Sequence, residues 1–232
     1  MTKSTGIIMS GDHPVKCLNG TKTVTRRTWG LEKINKDPDK WILLGRYPDG
    51  YGDRWRFRRH GTDEEVIIKC PYGGVGDLLW MKETHQWVTL AGKDPWKDKA
   101  IADGTFRRMP DGSPVKMCYR ADGYEIGANW RPSIHTPRWA SRADLEILPG
   151  LRPERLQAIT EEDALAEGIT VMQGTWQALG RGEGGKLEPV GEPHPFTARY
   201  HFGALWDNLN AHRGYPWDGN HWIWRIPFKL QG

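Results

Sequence analysis

The sequence predicts an α+β fold that is mainly β, a small barrel with two or more flanking helices and long loop insertions. Three observations predict it. Short runs of apolar and β-branched residues recur along the chain, only two segments carry a strong helical signature, and no strand–helix–strand rhythm links them. No internal repeat is present. The 232 residues, 38% of them hydrophobic, are enough for one generous core rather than two small ones.

The elements follow in order. Gly6 to Met9 is a short apolar run that reads as a first strand. Asp12 is placed to cap a short helix over His13–Asn19, with Pro14 tolerated in its first turn and Gly20 ending it. KTVTRR follows, rich in β-branched residues, as the start of a strand. Trp55–Arg59 and Glu65–Cys70 read as a strand pair joined by His60–Asp63, with Gly61 at the turn. PYGGVGD is a turn cluster, and LLWMKETHQW after it reads as one strand. Residues 90–114 lack periodicity and are expected to form a surface excursion, followed by a strand at VKMCYR. Pro132 and Pro137 remove backbone donors, so Trp130–Trp139 is expected to be an irregular loop. ADLEIL and LRPERLQAI read as strands leading into a helix capped by Thr160 and ending at Gly168. Residues 180–193 hold five glycines and two prolines and are expected to be flexible. A second helix, Ala198–Asn210, reads as amphipathic, with Tyr200, Leu205 and Leu209 near one face, and WIWRIPFKL closes the chain as a strand.

Composition narrows the function. No apolar run approaches the roughly 18 residues that a transmembrane helix needs, and the Gly6–Met9 run is too short for a secretory signal. A cytoplasmic chain with no membrane association is expected. Cys17, Cys70 and Cys118 are scattered without a CxxC spacing, which predicts buried free thiols. The eight histidines form no HxxxH or HExxH pattern, so neither a metal nor another cofactor is expected. A net charge of +4 permits a polyanionic partner without requiring one. Thirteen tryptophans serve either a core or base stacking.

Four segments carry possible chemistry. Gly20–Arg27, GTKTVTRR, packs a lysine, three hydroxyls and two arginines behind a helix end. Such groups bind a phosphate, activate a nucleophile if Lys22 is desolvated, or simply form a solvated polar strand. Strict alternation separates Lys22, Val24 and Arg26 from Thr23, Thr25 and Arg27, so Lys22 and Thr25 share a site only if the chain is still turning at Lys22. Arg54, Arg56 and Arg58 stack on one strand face opposite Trp55 and Phe57, suiting either a phosphate backbone or solvent. Trp130, Ser133, His135, Arg138 and Trp139 share the proline-stiffened loop, as equipment for an unpaired base or as pins for the loop itself. Glu161, Glu162 and Asp163 complement a helix N-terminus, and that role accounts for them. Glu167, at the other end of that helix, gains nothing from the dipole and is therefore singled out.

Together these segments resemble the ASCH family, within the larger PUA-like group. The resemblance rests on an ordered set: G-x-K-T-x-T-R at Gly20–Arg26, GDLLWMKET at Gly76–Thr84, ITEEDALAEG at Ile159–Gly168, FGALWDNLN, and the final WIWRIPF. WRPSIHTPRWASR is similar to the longer version often carried by bacteriophages. The matched pieces span most of a single domain over 1–232, interrupted at about 31–70, 90–114 and 171–195. The resemblance implies a five- or six-stranded barrel whose cleft is lined by the first turn and the helix. It also implies RNA-related roles, and some small members are amidohydrolases that deacetylate N4-acetylcytidine. Those enzymes use a lysine and a threonine of the K-T-x-T turn and a glutamate of the helix, which fall here on Lys22, Thr25 and Glu167. Arg26 or a backbone N–H would then stabilise the oxyanion. The expected function is removal of an N-acyl group from a cytosine-like base. The rivals are a non-catalytic binder of RNA or of a modified nucleoside, and a ribonuclease of the same fold.

Overall fold

The computed structural model describes residues 2–47, 53–90, 95–123, 129–171, 175–181 and 187–231. In chain order the strands begin with β1 (Ser4–Ile8), β2 (Val24–Arg27), β3 (Trp41–Arg46), β4 (Arg54–Arg59), β5 (Glu65–Lys69) and β6 (Leu78–Lys82). They continue with β7 (His85–Thr89), β8 (Phe106–Arg108), β9 (Pro114–Tyr119), β10 (Asp144–Ile147), β11 (Arg152–Arg155), β12 (Thr175–Arg181), β13 (Leu187–Pro195) and β14 (Trp222–Leu230). The α-helices are α1 (His13–Leu18), α2 (Glu32–Asn35), α3 (Pro95–Ala102), α4 (Glu161–Ala166) and α5 (Ala198–Asn210). None of the described helices is long and apolar enough to cross a membrane.

The main sheet runs β1-β6-β10-β14-β11, with β2 also paired to β14, and it curls into a half-barrel. Only β1 and β6 are parallel; the other pairs are antiparallel. Strand β14 is the hub. It meets β11 through Trp222–Arg225, β10 through Phe228–Leu230 and β2 through Trp224–Pro227. Trp224 and Arg225 thus have partner strands on both edges, and a strand so enclosed reads as a continuous apolar run. Three smaller sheets accompany it: β3-β4-β5, β7-β9-β8 and β12-β13.

The largest core cluster joins Ile7, Leu79, Met81, Leu145, Trp224 and Phe228 of the main sheet to Leu31, Ile34, Trp41 and Phe57. The stretch 31–70 therefore supplies core side chains, each stabilising the fold by about 1.5–3 kcal/mol on burial. A second cluster packs Phe202 and Trp206 of α5 on Leu156, Ala164 and Ile223. A third holds Val115, Met117 and Tyr119 of β9 against Ala140.

Several sequence expectations are corrected. LLWMKETHQW is two strands in different sheets, because the chain breaks at Glu83–Thr84, where the Glu83 side chain is buried on Arg142. Residues 90–114 hold α3 and β8, whose Phe106–Arg108 pairs with β9. Within 180–193 the backbone pairs as β12 and β13; three of its five glycines fall in 182–186, outside the described residues. Asp12 makes no capping hydrogen bond and instead pairs with Lys16 at 2.7 Å, one helical turn on. Helix α5 has the expected limits but buries Phe202 and Trp206, leaving Tyr200 and Leu209 exposed. Phe202 and Trp206 stand four residues apart on one face, against Ala164 of α4 and Ile223 of β14, whereas Tyr200 is five and nine residues from Leu205 and Leu209 and lies off their face.

Candidate active site

The site begins where α1 stops. Gly20 adopts φ +76° and lets the chain reverse without a Cβ penalty. The backbone is then tied twice: Lys22 N–H donates to Lys16 O at 2.9 Å, and Thr23 N–H donates to Ala166 O at 2.8 Å. Strand β2 starts only at Val24, so the chain is indeed still turning at Lys22. Across from it, the Thr160 hydroxyl caps α4 by accepting from Asp163 N–H at 3.2 Å. The helix closes at Glu167, and Gly168 at φ +84° turns the chain away. Lys22 and Glu167 meet in a single antiparallel bridge.

The side chains of these two residues converge. The fully buried Lys22 ammonium donates to the Glu167 carbonyl at 2.9 Å and to Glu167 Oε2. A lysine at the last carbonyl of a helix satisfies an acceptor left open by the helix itself. Arg26 sits beside them. It reaches Glu167 Oε1 at 3.2 Å, Glu154 Oε1 at 2.8 Å and Asp163 Oδ2 at 2.6 Å. Asp163 also accepts a double hydrogen bond from Arg225 on β14, at 2.8 and 2.7 Å.

Burial drives the Lys22 ammonium below the usual lysine range, against the pull of Glu167. Burial would raise the Glu167 carboxyl, but Lys22 and Arg26 hold it below the ordinary glutamate value. The Arg225 hydrogen bonds, followed by those of Arg26, keep Asp163 far below the carboxylate range. His13, at the start of α1, is pushed down to about 4 by burial and then by Lys22, so its ring is neutral at pH 7.

A cleft of about 410 Å³ opens next to this network, lined by His13, Arg26, Arg27, Trp29, Tyr72 and Glu167. Its volume lies within the roughly 300–1,000 Å³ of small-ligand pockets. Phe202, Leu205 and Leu209 of α5 form an apolar part of the wall. Trp29 is 57% exposed there and stands edge-on to Tyr72, with ring centroids 5.7 Å apart. Lys22 and Thr25 do not line the cleft; Glu167 and Arg26 do. The carboxylate thus links the opening to the buried lysine.

No family model, curated protein or solved structure matches this chain.

The structure brings together Lys22, Arg26 and Glu167 among the residues singled out from sequence. Thr25 is paired with Ile226 in the sheet, and its buried hydroxyl has no hydrogen-bond partner among the described residues. Arg26 is engaged by three carboxylates, a setting that holds its guanidinium in place. Asp163 does more than complement a helix dipole, since it joins Arg26 to Arg225, and Glu161 accepts from Ala198 N–H at 2.7 Å. The arginines of β4 lie elsewhere, on the outer face of the β3-β4-β5 sheet. Trp55 and Phe57 point inward as expected, and Arg56 is 3.5 Å from Glu65. The Trp130–Trp139 loop is pinned to the β7-β9-β8 sheet and its neighbours. Trp139 packs on Trp87, Arg138 is bound to Asp144 at 2.7 and 2.8 Å, and Ser133 O accepts from the Thr136 hydroxyl. Trp130 is half-buried and His135 exposed, and neither they nor Ser133 line the cleft.

Sequence reasoning missed His13, Glu154, Trp29 and Tyr72, and took Arg27 only as part of the Gly20–Arg27 segment. One signal was available for Asp163: it stands four residues before Glu167, which puts both carboxylates on one face of the helix. Nothing local marks Glu154, which meets Arg26 across 128 residues of chain.

Proposed function

We propose that the cleft hydrolyses an exocyclic N-acyl group on a cytosine-like base. The observation that carries this reading is the Glu167 carboxylate, exposed to the cleft on one side and bonded to a desolvated lysine on the other. The resemblance to the ASCH family, on the same Lys22, Thr25 and Glu167, supports it. The base stacks on Trp29, with Tyr72 behind, and its acyl group faces Glu167. Glu167 takes a proton from the attacking water as the new C–O bond forms. It returns that proton to the departing exocyclic nitrogen as the C–N bond breaks, giving a carboxylic acid and the free amine. Lys22 positions Glu167 and sets its proton affinity. Arg26 fixes the other carboxylate oxygen. Thr25, whose buried hydroxyl has no hydrogen-bond partner among the described residues, supplies a polar group near this turn.

The test is incubation of the purified protein with N4-acetylcytidine, followed by chromatography of the products, beside Lys22→Met and Glu167→Gln variants. Turnover lost by at least about 100-fold in both variants, with folding retained, is the expected result. A Lys22→Met protein that keeps full activity and an unchanged pH–rate profile overturns the role given to the pair.

A further inference from the structure

We infer that the cleft takes its substrate as a phosphorylated nucleotide, not as a free base or nucleoside. The inference deepens the reading above; it rests on that reading for the base and not for the hydrolysis.

The cleft is lined by more cations than its described carboxylate can match. Arg26 lines the cleft but is matched by Glu154, Asp163 and Glu167, and Lys22 is matched by Glu167. Three other cations line the same cleft: Arg27, Lys82 and Arg213. Among the described residues none of the three has a carboxylate within ion-pair distance. Two of them are nevertheless held in place. Arg27 donates to Ile8 O at 2.7 Å and to Arg26 O at 3.2 Å. Lys82 donates to Ile134 O at 2.7 Å and lies 5.4 Å from the Trp80 ring. Carbonyls and ring faces orient a cation without neutralising it, so the positive potential stays in the cleft. Glu167 is the only carboxylate among the described lining residues, and two cations already occupy it.

A concave site with unmatched cations concentrates anions, and low-dielectric walls strengthen the effect. A phosphomonoester carries about −1.5 to −2 charge and three strong acceptor oxygens, which suits a guanidinium that is already oriented. The exposed Trp29 ring beside Arg27 adds a face for the base. Anion and ring together specify a nucleotide; either alone would not. Gly6, on the cleft wall, keeps the arrangement open, because a Cβ there would lie 2.7 Å from the Trp80 ring and 2.9 Å from Lys82 Cδ.

Calorimetric titration of the intact protein with cytidine, cytidine 5′-monophosphate and inorganic phosphate tests this. The monophosphate is expected to bind at least about tenfold tighter than cytidine at low salt, with the preference shrinking as salt is added. An Arg27→Gln/Arg213→Gln double variant should bring the two affinities within about threefold. Arg213 lies on an exposed turn, so Arg213→Gln alone keeps the test usable if the double variant folds poorly. Equal affinity for cytidine and its monophosphate overturns the inference, as does a preference that survives in the variants. Inorganic phosphate binding as tightly as the monophosphate also overturns it, since the base would then contribute nothing. A monophosphate preference with no turnover of any N4-acylated cytidine would leave this inference standing and remove the hydrolytic reading alone.

Discussion

Glu167 and Glu83 are both buried carboxylates held by cations, with 4% and 1% of their surfaces exposed. Yet the two are built differently. Arg142 grips Glu83 with two hydrogen bonds of 2.8 Å and must also serve Asp122, at 2.7 and 2.8 Å. One guanidinium thus answers two carboxylates, and burial pushes the Glu83 carboxyl above its usual value despite Arg142. Glu167 is reached by two cations and is held below that value. Lys22 pairs with no other carboxylate among the described residues, whereas Arg26 is shared with Glu154 and Asp163. The Glu83 cluster is closed over by Tyr119, whose ring lies 4.2 Å from the Arg142 guanidinium, and Glu83 lines no described cleft. The Glu167 cluster is open on one side. Burial and pairing alone therefore do not mark a site, since structural ion pairs show both. Contact with a cleft separates the two.

Removing one guanidinium from each cluster should have the largest effect. Arg26→Ala leaves Glu154, Asp163 and Glu167 with one cation each, Arg152, Arg225 and Lys22, while Arg142→Ala strands Glu83 and Asp122. Each should cost about 3–5 kcal/mol of stability, read by urea denaturation. Only Arg26→Ala should also weaken nucleotide binding in protein that remains folded. If Arg142→Ala proves just as damaging to binding at equal foldedness, the distinction drawn from the cleft fails.

Acid separates the clusters next. His13, beside Lys22, has a folded value of about 4 against an ordinary 6.5. Between those values the unfolded chain holds a proton that the folded chain refuses. Stability must therefore fall as the pH drops from about 6.5 through 4, by at most roughly 3 kcal/mol. Glu167 and Asp163, both held low, add losses of the same sign at lower pH. Glu83 has the opposite sign: its folded value is raised, so its contribution is fully present at low pH and declines as the pH rises through that value. Urea denaturation at pH 7 and pH 4.5 should show a smaller acid loss in His13→Gln than in the parent. An unchanged loss would take His13 out of the network.

Much of this frame was legible in the sequence. Gly20, Thr160 and Gly168 announce the helix boundaries that bring Lys22 to Glu167, because each acts through its own backbone or its nearest turn. The limits of α5 and the inward Trp55 and Phe57 were equally readable, since local periodicity fixes them. Long-range pairing was not. Arg26 looks like any strand arginine until Glu154 arrives from β11 and Asp163 from α4. Leu31–Cys70 looked like an insertion because its core contacts lie on β1, β6 and β14, distant in sequence. The Trp130–Trp139 loop shows the reverse error: its side chains suit a base, but Trp87 and Asp144 claim two of them.

Two glycines give the finest comparison, because each closes an element beside one of the clusters. Gly168 follows Glu167 at φ +84°, and Gly123 follows Asp122 at φ +77°. Alanine at either position is strained by the left-handed backbone, at roughly 1–2 kcal/mol. The surroundings differ. A Cβ at Gly168 would lie 3.0 Å from Lys16 Cδ and 3.2 Å from Lys22 Cβ, whereas at Gly123 nothing stands within 4 Å. Gly168→Ala must therefore also push Lys22, and through it the hold on Glu167. Denaturation should show similar losses for the two variants, with a slightly larger one for Gly168→Ala. Turnover and nucleotide binding should fall only in Gly168→Ala. Equal function in both would mean that the cleft tolerates a displaced Lys22, and Glu167 would then be held well enough by Arg26 alone.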